Sequence, residues 1–290
     1  MNKVSKAIVT GGAGFIGSHI VDELLEKRIE TFVVDDFSTG SLDNLSLHQN
    51  DRLLHVIRGD IKDLDSLLPG IGADVMFHEA AIASVPKSVE DPIFVHNVNV
   101  NYTLKVLEYC RRENVGRIVF ASSASVYGFV KNPPAEEIMH CAPASPYGAS
   151  KLAIEDYLNA YQSSYGLDAV ILRYFNVFGP RQKTSSYSGV ITIFINSMLQ
   201  GKNPTIFGDG LQTRDFIHVR DIALANILAM ESETAGGNIF NVASGRVVSI
   251  LELFDIIKRA TGAKNVNPVF GKPKPGDLRV GSASIERVKL

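Results

Sequence analysis

Residues 7–17 read Ala7-Ile8-Val9-Thr10-Gly11-Gly12-Ala13-Gly14-Phe15-Ile16-Gly17, and a helical pattern follows to about residue 27. The first four residues favour a buried strand. Gly11, Gly14 and Gly17 permit a tight turn, a close approach of backbone N–H groups to a pyrophosphate, and tight helix–strand packing. Gly12, Gly14 and Gly17 also fit the spacing G-x-G-x-x-G. A second strand pattern ends at Asp35, 18 residues after Gly17. An acidic side chain there can take both hydroxyls of an adenosine ribose and repels a 2′-phosphate. With no arginine next to Asp35 in the sequence, the stretch points to NAD rather than NADP.

The same rhythm continues along the chain. Strand patterns at 7–10, 31–34, 54–58, 75–78, 117–122 and 169–173 alternate with helical patterns such as 14–27, 100–113 and 146–165. Several strands are nearly continuous apolar runs, as sheets covered on both faces require. This predicts an α/β fold with a doubly wound parallel sheet and right-handed crossovers. From Asn176 the pattern loosens into Gly, Pro, Ser and Thr clusters. That change marks a second, smaller α/β domain lying over the carboxyl ends of the strands, where such sheets bind ligands.

Composition narrows the class. Of 290 residues, 45% are apolar and 21% charged, which supplies a core and excludes disorder. The formal charge of −2, without blocks of one sign, argues against nucleic acid or a membrane as partner. Cys110 and Cys141 fit no metal-ligand spacing and no disulfide framework. No run reaches membrane-span length, and residues 1–6 lead into a strand without a signal peptide, so the expected location is cytoplasmic.

A Tyr-x-x-x-Lys pair on a helix puts both side chains on one face, where the ammonium favours the phenolate and makes a general base. Two such spacings occur. Tyr127/Lys131 runs into Asn132-Pro133-Pro134, which cannot continue a helix. Tyr147/Lys151 follows Ser145-Pro146, an N-cap with proline at the first helical position, and is the pair that geometry selects. Upstream, the strand pattern at 117–122 leads into Ser122-Ser123-Ala124-Ser125, either a strand-end turn or hydroxyls able to relay a substrate proton.

Together these motifs resemble the extended short-chain dehydrogenase/reductase family, and within it the nucleotide-sugar 4-epimerases. The matching stretches are Thr10-Gly-Gly-Ala-Gly-Phe-Ile-Gly17, Asp35-Asp36-Phe37, Gly59-Asp60-Ile61, His78-Glu-Ala-Ala81, Ser122-Ser-Ala-Ser-Val-Tyr-Gly128, Tyr147-Gly-Ala-Ser-Lys151, Arg173-Tyr-Phe-Asn176 and Arg214-Asp-Phe-Ile-His-Val219. The resemblance implies a Rossmann NAD-binding domain over 1–175, with roughly 215–245 packing back onto it, and a mainly nucleotide-sugar-binding domain over 176–290. It implies Ser123, Tyr147 and Lys151 as catalytic residues. Cofactor contacts would come from Gly11, Gly14, Phe15, Ile16, Gly17, Asp35, Asp36, Phe37, Asp60, Ile61, Ala80, Ala81, Asn99 and Phe175, besides Tyr147 and Lys151. Substrate contacts would come from Ser123, Asn176, Phe207, Arg214, Lys274, Asp277 and Gly281. His78 reads as structural.

The chain departs from the family pattern in three places. Tyr102 replaces the glycine of the usual Asn-Val-x-Gly-Thr motif, and Lys274 stands where many relatives carry a phosphate-binding arginine. The chain ends at Leu290, where relatives usually continue through another short helix. Relatives that dehydrate a sugar carry Asp-Glu after the catalytic serine, and decarboxylases a Glu at the second place. Ala124 and Ser125 here can do neither job. The implied reaction is therefore NAD-dependent 4-epimerisation of a UDP-hexose through a transient 4-keto sugar. Gly281, the fifth residue beyond Gly276, implies room for a 2-acetamido group, extending UDP-glucose/UDP-galactose to the N-acetylated pair. The alternatives are a UDP-glucuronate 4-epimerase, another NAD-dependent sugar-nucleotide oxidoreductase, or a non-enzymatic NAD-binding sensor. The resemblance also implies a homodimer through the helices at 100–113 and 146–165, with Ile154, Leu158 and Tyr161 either in that contact or in the chain's own core.

Overall fold

The computed structural model describes residues 4–183, 189–273 and 279–289. Its apolar runs form β1 (Lys6–Thr10), β2 (Glu30–Asp35), β3 (Leu54–Arg58), β4 (Val75–His78), β5 (Arg117–Ser123) and β6 (Ala169–Tyr174). Beyond them come β7 (Asn176–Phe178), β8 (Thr205–Phe207), β9 (Thr213–His218), β10 (Asn238–Val242), β11 (Val247–Ser249), β12 (Val269–Gly271) and β13 (Val280–Gly281). β10 returns beside β6, completing a seven-stranded parallel sheet in the order β10-β6-β5-β4-β1-β2-β3. The sheet is the predicted α/β doubly wound arrangement, with crossovers running both ways from β1.

The helices are α1 (Phe15–Glu26), α2 (Leu64–Leu67), α3 (Val85–Glu90), α4 (Pro92–His96), α5 (Thr103–Arg112), α6 (Pro146–Tyr165), α7 (Val190–Leu199), α8 (Val219–Glu231) and α9 (Ile250–Thr261). Successive residues of each central strand point to opposite faces, and both faces are apolar. Val9, Phe77, Val119 and Val170 join one core with Ile20 and Leu24 of α1 and Ile222 and Ile227 of α8. Ile8, Met76, Ile118 and Ile171 join the other with Val106 and Leu107 of α5 and Ile154 and Leu158 of α6. Ile154 and Leu158 are thus fully covered within the chain. The exposed apolar residues of α6 are Tyr157 and Tyr165 instead.

The helix expected from residue 100 begins differently. Residues Asn97–Tyr102 form a wide π-turn before α5. The buried Asn99 explains why the backbone opens there: its Oδ1 accepts from the Ile82 N–H at 2.8 Å, and its Nδ2 donates to Ser150 Oγ at 3.1 Å. These bonds tie the loop after β4 to α6, and such insertions are frequent at functional sites. Beyond the main sheet, β9 pairs with β7, β11 and β13, β8 pairs with β12, and α7 and α9 enclose a third apolar cluster around Phe194, Phe254 and Ile206. Among the described residues no helix is long and apolar enough to cross a membrane.

Helix α6 is locked to the sheet by a buried ion pair. Glu155 Oε2 lies 2.6 Å from Arg173 Nη2, both side chains almost wholly covered, and Glu155 Oε1 accepts from Ser122 Oγ at 2.5 Å. Glu155→Leu would leave the Arg173 guanidinium buried without a counter-charge, at a cost of about 3–5 kcal/mol. Urea unfolding of the variant measures this; a loss under about 1 kcal/mol would show that the pair carries no weight.

Candidate active site

The glycine loop is shaped for a close ligand. Gly11 has φ +68°, and a Cβ there would stand 2.8 Å from the Ala80 nitrogen. A Cβ on Gly17 would strike the Gly11 carbonyl oxygen, so helix and strand meet only because both residues are glycine. Gly14 caps α1 without a side-chain acceptor, leaving the first-turn N–H groups and the positive end of the helix for an anion. Asp35 closes the far side: Oδ2 accepts from the Ala13 N–H at 2.9 Å and Oδ1 from the Phe37 N–H at 2.8 Å. Burial pushes its pKa up, against the two N–H groups that stabilise the carboxylate.

A crevice of about 490 Å³ runs over this loop, lined by Gly11, Gly14, Phe15, Ile16, Gly17, Asp35, Asp36, Asp60, Ile61, Ala80 and Ala81. Phe37, Asn99 and Phe175 do not line it. Phe37 sits at φ 60° beside Asp35, Asn99 holds Ile82, and Phe175 is buried against the Tyr127 ring. An arginine does approach this end. Arg58, paired with Asp35 across β2 and β3, sets its guanidinium 5.8 Å from the Phe37 ring. Strand register creates that neighbour and sequence adjacency hides it. Glu79, Lys62, Phe94 and Tyr102 also line the crevice and went unread as site residues. The Lys62 ammonium pairs with Asp60 at 3.0 Å and lies 5.4 Å from the centre of the Tyr102 ring. The tyrosine in the usual glycine position was the available signal.

The side chains expected from the sequence to be catalytic stand at the end of β5. The Ser145 hydroxyl accepts from the Gly148 N–H at 3.1 Å, Pro146 starts α6, and Gly166 ends it in the left-handed region. Tyr147 and Lys151 consequently share the face turned to the sheet. The Ser123 hydroxyl stands near Tyr147 and favours its phenolate. Ser123 Oγ also donates to Ser125 Oγ at 3.2 Å. Lys151 Nζ donates to the Ala121 carbonyl at 2.7 Å and lies 4.8 Å from the Phe120 ring centre. Burial draws Lys151 down to about 8, against the pull of Glu79 and Glu155. Tyr147 departs from expectation: burial raises its pKa, Ser123 lowers it, and Glu79 raises it further. Burial is the leading cause of that rise, and the Lys151 ammonium is turned to the Ala121 carbonyl.

A second cavity of about 530 Å³ opens beside β7 and β9, lined by Asn176, Phe207 and Arg214 together with Phe178, Gln182 and Ile191. Asn176 Nδ2 donates to the Asp215 carbonyl at 2.8 Å. Strand β4 ends in the first cavity, β6 leads into the second through β7, and Ser123 tops β5 between them. Gly281 lies on β13 opposite Arg214, outside this lining, and a Cβ there would come 3.2 Å from Arg214 Cδ. Lys274 and Asp277 lie outside the described residues.

The sequence profile of the NAD dependent epimerase/dehydratase family matches residues 7–243. The chain belongs to that family. Its similarity to other epimerase/dehydratase members extends over nearly the whole chain. It is 42% identical over 277 residues to a UDP-glucose 4-epimerase of Mycolicibacterium smegmatis, covering 94% of this chain and 88% of the relative. Among solved structures it resembles a UDP-N-acetylglucosamine 4-epimerase from Methanobrevibacter ruminantium in complex with UDP-N-acetylmuramic acid. There the TM-score is 0.93 at 42% identity, over 99% of this chain and 91% of that one. It also resembles a UDP-glucuronic acid 4-epimerase from Bacillus cereus in complex with UDP-glucuronic acid and NAD, with TM-score 0.90, 33% identity, and 98% and 91% covered.

The rejected pair and the structural histidine fall elsewhere in this epimerase/dehydratase fold. His78 bridges Thr10 Oγ1 at 2.7 Å and Thr103 Oγ1 at 2.9 Å, and burial lowers its pKa to about 3, so it stays neutral. Tyr127 is buried, donating to Asn241 Oδ1 at 2.6 Å beneath the Arg173 guanidinium. Tyr127→Phe would leave that buried acceptor without its donor and cost about 1–3 kcal/mol in thermal or urea unfolding. An unchanged stability would contradict the structural role given to Tyr127.

Proposed function

We propose that this NAD-dependent enzyme interconverts UDP-hexoses that differ at carbon 4, UDP-glucose with UDP-galactose and also their 2-acetamido counterparts. The observation that carries the reading is the Ser123–Tyr147–Lys151 constellation at the end of β5, between the glycine-lined crevice and the Asn176–Arg214 cavity. Ala124 and Ser125 supply no carboxyl for dehydration or decarboxylation. Glu79, a carboxyl of the crevice lining, is held by Tyr174.

The residues fit the cofactor. Gly11, Gly14 and Gly17 line the crevice in a tight turn whose backbone a Cβ would strike, and the uncapped start of α1 suits its pyrophosphate. Asp35 would take the adenosine ribose, with Asp60 and Ile61 meeting the adenine. Bound there, NAD would supply the acceptor for the hydride of carbon 4 and, once reduced, the donor for its return. Tyr147 removes the proton of the 4-hydroxyl, assisted by the nearby Ser123 hydroxyl. Lys151 holds positive charge one helical turn away. Asn176 and Arg214 grip the pyrophosphate and Phe207 lies by the uracil, so binding energy resides in the UDP handle and the 4-keto sugar is free to turn between hydride transfers.

On this reading 1–175, with 215–245 packed back, forms the cofactor half and 176–290 the nucleotide-sugar half. A homodimer would use the exposed Val89, Ile93, Tyr157 and Tyr165 of α3, α4 and α6. The acetamido substrates are supported by the resemblance to the UDP-N-acetylglucosamine 4-epimerase. The smallness of Gly281 also accommodates Arg214, which weakens it as an independent argument for a roomy pocket.

Incubation of the purified chain without added NAD, separately with UDP-glucose and UDP-N-acetylglucosamine, should yield both 4-epimers on chromatography. Conversion of UDP-glucuronate alone would overturn the substrate assignment. Tyr147→Phe should lower turnover by about a hundredfold or more while bound NAD is retained; full turnover in that variant would remove Tyr147 from the mechanism.

A further inference from the structure

Glu79 has no part in the chemistry above, yet it is a carboxyl in the site. It follows His78 at the end of β4 and lines the crevice. Its Oε1 accepts the Tyr174 hydroxyl at 2.8 Å. That hydroxyl in turn accepts from Asn226 Nδ2 at 2.7 Å, and Asn226 is anchored to the Ile222 carbonyl at 2.9 Å within α8. Because the tyrosine has one hydrogen, and Asn226 already donates to its oxygen, that hydrogen is committed to Glu79. Residue 79 is therefore fixed as an acceptor. Among the described residues it makes no ion pair, whereas Glu155 spends its charge on Arg173.

We propose that Glu79 is a positioning residue for proton transfer, its carboxylate acting through space on Tyr147 and Lys151 to set the pH range in which the pair works. This rests on the reading of Tyr147 as the base. Strand β4 pairs with β5 so that His78 lies opposite Phe120, and Lys151 Nζ stands 4.8 Å from that Phe120 ring and on the Ala121 carbonyl, beside the strand end from which Glu79 follows. The titratable groups facing Glu79 are Tyr174 from β6 and Lys151 from α6, with Tyr147 of α6 in turn feeling its charge. His78, its neighbour on β4, remains neutral. Burial raises Glu79 to about 7, opposed by the Tyr174 hydrogen bond and by Lys151. As pH rises through neutrality the carboxyl becomes charged. That charge raises the pKa of Lys151, preserving the ammonium where burial would strip it, and raises the pKa of Tyr147, delaying the phenolate. Both limbs of the activity profile therefore sit at higher pH than they would beside a neutral residue.

The test compares wild-type, Glu79→Gln and Glu79→Asp holoenzymes. Glutamine keeps the acceptor for Tyr174 and removes the charge. Profiles of kcat against pH are measured on UDP-glucose, and tyrosinate absorbance is titrated in each protein with and without Tyr147→Phe, which isolates the Tyr147 signal. The expected result for Glu79→Gln is a shift of both limbs, and of the Tyr147 tyrosinate transition, to lower pH by about one unit. Glu79→Asp should keep the wild-type positions. A Glu79→Gln profile and tyrosinate transition superimposable on wild type would overturn the inference while leaving the base assignment intact. Full turnover in Tyr147→Phe would instead overturn the base assignment, and this inference with it.

Discussion

One face of α6 carries Tyr147, Lys151 and Glu155 at four-residue intervals, and each faces the carboxyl ends of the interior strands β5 and β6. Tyr147 meets Ser123, Lys151 the Ala121 carbonyl, and Glu155 both Ser122 and Arg173. In a parallel sheet covered on both faces, a polar stripe of this kind can be buried only if every group finds its partner. The Glu155–Arg173 pair is therefore a constraint on register more than a source of stability, since charges leaving water recover little net energy from pairing. Sliding α6 by one turn would strand the carboxylate, the ammonium and the guanidinium together. The position of the phenol relative to Ser123 depends on that penalty.

The same constraint explains the electrostatics. Burial strips charge from Lys151, withholds it from Tyr147 and keeps His78 neutral, while the backbone carbonyl of Ala121 and the carboxyls of Glu79 and Glu155 counter the effect on Lys151. Burial and the neighbouring charges act on Lys151 in opposite directions, so a change of charge nearby moves it. The glycine loop works on the other principle: it offers backbone N–H groups and no side-chain charge, which suits a bound anion that brings its own.

Much of the architecture was legible because periodicity and punctuation are local. Alternating apolar runs and helical patterns located the six leading strands of the sheet, and Ser145-Pro146 marked the start of α6 at its observed first residue. The glycines were readable for the same reason, as each answers to a turn or an approach within its own loop. Some features were not legible. The π-turn at Asn97–Tyr102 exists because Asn99 reaches across to Ile82 and Ser150. The place of Arg58 beside Asp35 comes from strand register, and the covering of Ile154 and Leu158 by the chain's own core comes from helix packing.

By itself, then, the sequence determined which residues could bend around a pyrophosphate, which tyrosine could share a helix face with a lysine, and that a parallel sheet would carry both. Those are properties of spacing and backbone chemistry within a few turns of chain. Only the tertiary structure decided what surrounds the reactive groups. It set Glu79, just past β4, against Tyr174 of β6, 95 residues away in the chain. It turned Lys151 toward a backbone carbonyl, and it raised the pKa of Tyr147 where a helix-face argument lowers it. The physical reason is that proton affinity depends on water exclusion and on charges converging from several strands and helices, and neither is a property of neighbouring residues.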